Sequence, residues 1–120
     1  MKENVLKNKS FRFAIRIVNL NKYLQDKKEF ILSKQLLRSG TSVGAMVYET
    51  EFAESSNDFV HKMAIAQKEI NETIYWLELL KETEYVSDKE FESINADAVE
   101  IIKLITSSIK TAKKSLKINH

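Results

Sequence analysis

Between residues 10 and 116 apolar side chains recur at intervals of three and four, the spacing of a helix face, and three polar breaks interrupt them. Before this pattern, residues 1–9 are polar and read as an arm; Ser10 is a cap candidate for a first helix over about 10–27. That helix carries two apolar series: Phe13, Ile17, Leu20, Leu24, and Phe11, Ala14, Ile15, Val18. A bundle core needs a stripe of about 100°, so the wider arc implies contact with something beyond the helix's own core. A second helix is predicted over about 32–54, with Leu36, Leu37, Gly40, Val43, Gly44 and Val47 inward. Ser55, Ser56 and Asn57 break the pattern and offer three caps for a third helix over about 57–85. Its inward stripe is Phe59, Met63, Ala66, Ile70, Ile74 (or Thr73) and Leu77. Its second half is apolar on several sides, where Tyr75, Trp76, Leu79 and Leu80 join that stripe. Ser87 with Glu90 forms a capping box, with Val86 as a staple residue, opening a fourth helix over about 88–116. Connections of two to five residues make antiparallel neighbours. The chain is therefore predicted to be all-α: one domain, 1–120, folded as an up-down-up-down four-helix bundle.

Composition sharpens this. There is no proline and only two glycines, so the turn residues of a sheet protein are absent. The two glycines, Gly40 and Gly44, stand four apart inside the second helix, at a cost of roughly 1 kcal/mol each against alanine. Both face one way, and the compensation expected is another helix crossing there at close range. If the second and third helices turn near Ser55 and Ser56, Arg38 lies level with Glu72 or Thr73, and Gly40 with Asn71. An ion pair from Arg38 to Glu69 or Glu72 is predicted. Phe11, Phe13, Trp76 and Leu80 are assigned to the surplus apolar surface, met by a second copy.

The absence of cysteine excludes disulfides, thiolate metal sites and a cysteine nucleophile. No leader pattern is seen, and no apolar run approaches the roughly 20 residues of a membrane span. A cytoplasmic protein with no membrane partner is expected. Asp58 and His61, three apart with Glu54 nearby, have the spacing of a di-metal bundle motif. Such a centre needs a second motif, and the only other histidine is His120. Ser39, Thr41 and Ser42 lie within a helix, without an elbow turn or a nearby histidine, and suit hydrogen bonds to carbonyls one turn back. No glycine loop exists to hold a phosphate. No catalytic residue, cofactor, metal or small-molecule substrate is therefore expected.

Charge is unevenly spread although the net is only +2. Residues 1–28 carry eight basic and two acidic side chains, residues 29–86 sum to −5, and five lysines but no acid follow Glu100. In the predicted bundle, Lys7, Lys9, Arg12 and Arg16 meet Lys110, Lys113, Lys114 and Lys117 at one end, a cluster suited to phosphates. Lysines late in a helix also complement its dipole, so a solvated basic face is the competing explanation. Glu49, Glu51, Glu54 and Asp58 make an acidic edge on the opposite side of that end, which suits a head-to-tail contact between copies.

Two segments carry a family likeness. Gln35-Leu36-Leu37-Arg38-Ser39-Gly40-Thr41-Ser42-Val43-Gly44-Ala45, followed by Glu49, Ala53-Glu54-Ser55 and Asp58-Phe59, resembles the 23S rRNA intervening-sequence proteins, and so does Ile65-Ala66-Gln67-Lys68-Glu69-Ile70-Asn71-Glu72-Thr73-Ile74-Tyr75-Trp76-Leu77. The likeness covers about residues 10–112; Met46 and Thr50 depart from it, standing where asparagine and a small residue are expected. The resemblance implies a bundle assembled as a ring, a homopentamer, with no assigned activity for most members. A similar branch serves diversity-generating retroelements as an accessory protein beside nucleic acid and a reverse transcriptase. The expectation is a non-catalytic ring-forming accessory or adaptor protein that associates with RNA, DNA or a nucleoprotein through the basic end. The alternative is a structural homo-oligomer without nucleic acid.

Overall fold

Four helices account for nearly all of residues 2–118, the part described by the computed structural model: α1 (Lys2–Asp26), α2 (Leu32–Glu49), α3 (Ser56–Glu82) and α4 (Asp88–Ile118). A 3₁₀ turn, Thr50–Phe52, lies between α2 and α3. Each helix packs on its chain neighbours and α1 closes on α4, so the four form an antiparallel bundle measuring 53 × 22 × 22 Å.

Two helix ends differ from the sequence expectation. The predicted polar arm, residues 1–9, is helical from Lys2 onward. Leu6 extends the inward series of Phe13, Ile17 and Leu24 and is buried beside Val47, Phe59 and Met63, so the arm has an apolar anchor. Ser10 is consequently no cap: it is buried inside α1, with its hydroxyl donating to the carbonyl of Lys7 (3.1 Å). α2 stops at Glu49 instead of about residue 54, because Thr50–Phe52 tighten into the 3₁₀ turn and Ala53 is extended.

The turns are built without glycine. At the end of α1, Glu29 N–H donates to the carbonyl of Leu24 and Lys28 N–H to that of Gln25; α3 ends in the same way, with Tyr85 on Leu80 and Glu84 on Lys81. These are Schellman closures, which need a left-handed residue, and Lys28 (φ 64°) and Glu84 (φ 68°) supply it. At the next start, Ser33 N–H donates to the Glu29 carboxylate (2.7 Å). Ser55 caps α3 by accepting from Asp58 N–H (3.0 Å), and Ser87 and Glu90 form the reciprocal capping box at α4.

The glycines mark the α1–α2 crossing. A Cβ on Gly40 would stand 2.7 Å from a side-chain carbon of Ile17, and one on Gly44 would stand 3.1 Å from the backbone carbonyl oxygen of Ser10. The helix that passes close by is thus α1. Asn21 reinforces the seam, donating to the carbonyl of Ser33 (3.0 Å). On the α3 side, Thr73 and not Ile74 takes the fully buried place, its hydroxyl 2.9 Å from that of Ser39.

Candidate nucleic-acid interface

The basic residues grouped by the sequence divide into two sets on opposite flanks of α4. The flank toward α1 carries acids. Asp97 accepts from Arg16 (2.7 Å), whose guanidinium also donates to Ser93 (3.1 Å), and Glu100 pairs with Lys9. Arg12 lines the same shallow depression with Lys9, Asp97 and Glu100. Lys7 pairs with Glu51 of the 3₁₀ turn (3.1 Å) and lies over the Tyr48 ring. Lys7, Lys9 and Arg16 are therefore neutralised within the chain, while Arg12 has no ion pair among the described residues. Their partners, Glu51, Asp97 and Glu100, were missed because helix periodicity carries no register between helices distant in sequence.

The groove on the other flank, toward α3, is lined by no acid. Lys110, Lys113, Lys114 and Lys117 line a groove of about 530 Å³ with Gln67, Thr106 and Ile109. Gln67 donates across the seam to the Thr106 hydroxyl (3.1 Å). None of these four lysines has an ion-pair partner among the described residues. Together with Arg12, which is exposed and has no ion pair among the described residues, they are the unpaired positive charge of this end.

Arg38 bridges α2 and α3 on another face. It donates to Glu69 (2.9 Å) and to Glu72, and Glu72 also accepts from the Trp76 indole N–H (3.0 Å). That indole, together with Arg38, holds the Glu72 carboxyl below its ordinary value, while the bond to Glu72 raises the Arg38 guanidinium. Glu69 is buried, so Arg38 acts as its lid. Asp58, weighed with His61 for metal, accepts from Glu54 N–H (3.1 Å) and from Lys62 (3.0 Å), and both hold its carboxyl below its ordinary pKa. His61 is exposed, and no group of three potential ligands gathers among the described residues.

The family model for 23S rRNA-intervening sequence proteins matches residues 2–107. The chain belongs to that family. A similar solved structure comes from Bacteroides thetaiotaomicron VPI-5482 and is described as a protein of unknown function from the S23 ribosomal protein family. It is 58% identical, superposes with a TM-score of 0.90, and the alignment covers 92% of this chain and 99% of that one. No curated protein matches.

In this family member the residues assigned to contact between copies separate. Phe13 and Leu80 belong to the core of the single chain, 1% and 0% exposed, which corrects their assignment to an interface. Phe13 joins the inward series of Ile17, and Leu80 closes the α3 end beneath the Schellman turn. Trp76 is half-buried, held by Glu72. Phe11 is 66% exposed and continues into Ile15 and Val18 along one outward strip of α1. Tyr48 and Phe52, with rings 5.6 Å apart, add exposed apolar area where α2 ends. Neither was singled out from the sequence, although their i, i+4 spacing was the available signal. No described helix is long and apolar enough to cross a membrane.

Proposed function

We propose that this 23S rRNA-intervening sequence protein is a non-catalytic, self-associating accessory protein that brings a repeated basic end to nucleic acid. The observation that carries this reading is the outward strip Phe11, Ile15 and Val18, left uncovered by a bundle whose core is already closed. Water contact with such a strip is unfavourable by roughly 25 cal/mol per Å², and a second copy offers a matching apolar surface. The family resemblance points to a ring of five. Each copy added brings another set of α4 lysines, so weak single contacts combine into avidity.

A purely structural assembly, in which an acidic edge of one copy meets a basic edge of the next, finds less support. Glu51 and Asp58, two acids of that edge, are paired with Lys7 and Lys62 of their own chain. Two measurements test the reading. Light scattering at micromolar concentration is expected to find an assembly, and a lone 13.9 kDa particle would sink it. Filter binding of structured RNA and duplex DNA is expected to detect salt-sensitive association, and retention of neither, at low salt, would leave only the structural assembly.

A further inference from the structure

We propose that the α3–α4 groove, walled by Lys110, Lys113 and Lys117, tracks the phosphate backbone of double-helical nucleic acid, and that the ion-paired α1 cations Lys7, Lys9 and Arg16 take no part. The inference rests on the nucleic-acid reading above and gives it a site and a substrate form. Three observations carry it.

The first is availability. Lys7, Lys9 and Arg16 sit on Glu51, Glu100 and Asp97, so each must break an ion pair before meeting a phosphate. The groove lysines have no such partner among the described residues, and no carboxylate lines the groove. The second is spacing. Lys110, Lys113 and Lys117 follow one another by three and four residues on one flank of α4. Seven residues of helix rise about 10.5 Å. With both strands counted, a duplex presents about one phosphate charge per 1.7 Å of its axis, so a flank of that length meets enough phosphates to engage all three ammonium groups.

The third is the character of the lining. It holds no aromatic side chain, whereas single-strand binders stack bases on aromatic platforms. Gln67 and Thr106 are tied to each other across the seam, and the charged groups of the lining are all lysine ammoniums, which act as point charges and read no base edge. Positive charge without stacking or base readout suits a regular backbone whose bases are already paired. A lipid surface also carries phosphates, but surface helices insert large apolar side chains, and the only large apolar side chain in this groove, Ile109, packs against the core.

Fluorescence anisotropy on the full chain tests this with an RNA duplex, a DNA duplex of the same sequence, the separated strands, and vesicles containing an anionic phospholipid. Duplexes of unrelated sequence are expected to bind alike, and single strands more weakly. Lys110→Gln with Lys113→Gln and Lys117→Gln should lower duplex affinity about ten-fold or more at low salt. It should also flatten the log–log salt dependence by about 2.7 for each subunit engaged. Lys7→Gln with Lys9→Gln should leave duplex affinity within about two-fold, while circular dichroism reports whether each variant is folded. Unchanged binding by the folded α4 variant, loss of binding in the folded α1 variant, preference for single strands, or binding to vesicles alone would each overturn the assignment. Failure of the unaltered protein to bind any nucleic acid would remove the functional reading itself. Binding that survives in the α4 variant removes only the site.

Discussion

Gly40 shows what one missing methyl group does here. Its absent Cβ leaves room for Ile17, a fully buried β-branched side chain with little rotamer freedom to move aside. Gly40→Leu is expected to be the most damaging single change, at about 1–3 kcal/mol or more from overpacking. Ile17→Ala should recover part of that loss in a double-mutant cycle followed by thermal melting. Equal losses with and without Ile17 would show that no close contact exists. Lys28 is the converse, a side chain where glycine is cheaper. Because it occupies the left-handed region in the turn after α1, Lys28→Gly should stabilise the fold by about 0.5–1 kcal/mol, read as a higher melting midpoint. The sequence made the glycine pair conspicuous, since two unusual residues at helical spacing need a cause. It left Lys28 invisible, because a left-handed lysine is written like any other.

Helix by helix, legibility follows the sharpness of the apolar pattern and its caps. α4 is clearest, with Ser87 and Glu90 at its start and Phe91, Ile94, Ala98, Ile101 and Ile105 buried in order. α1 was least clear. Two apolar series run along it, and which one faces inward is decided by α2 and α4 rather than by period, so Phe13 was assigned outward beside Phe11. Leu6 was missed because two adjacent apolar residues, Val5 and Leu6, in an otherwise polar stretch make no stripe of their own. The α2–α3 register, by contrast, follows from one short connection, and it brought Arg38 to both Glu69 and Glu72. This seam should weaken in acid. The Glu72 and Asp58 carboxyls titrate below their ordinary values in the folded protein, so the unfolded chain takes up protons first as pH falls. Their contribution is full above the ordinary carboxylate range of about 4 and is lost as pH drops through the lower folded values. Glu72→Gln should therefore lower stability near neutrality yet blunt the further loss between about pH 6 and pH 3. An identical slope for the variant and the unaltered protein in denaturant titrations across that range would remove the assignment.

For the molecule as a whole, the charge pattern read from sequence located the basic end but counted cations without their partners. Ion pairs across α1 and α4 depend on the closure of the bundle, which no local window contains, and closure divides the cluster into a neutralised flank and an exposed one. Closure also separates core from surplus. Of the four residues assigned to contact between copies, only Phe11 lies largely in solvent, so it is the position to test. Phe11→Asp is expected to leave the monomer folded, since Phe11 is outside the core, and to dissociate the assembly in light scattering. An assembly unchanged in size would place the contact elsewhere.

The uneven reach of α4 has a further consequence. At 31 residues it is the longest helix, and its inward stripe is fully buried only as far as Ile105, with Ile109, Ala112 and Leu116 half covered. Its amide protons should therefore exchange with solvent along a gradient, fastest over the closing turns and slowest near Ile101, because local opening there separates few packed groups. The lysines stand on that quickly exchanging stretch. A polyanion lying along them would fasten the loosest part of the bundle, so slowed exchange from Lys110 to Lys117 would report occupancy even where affinity is modest.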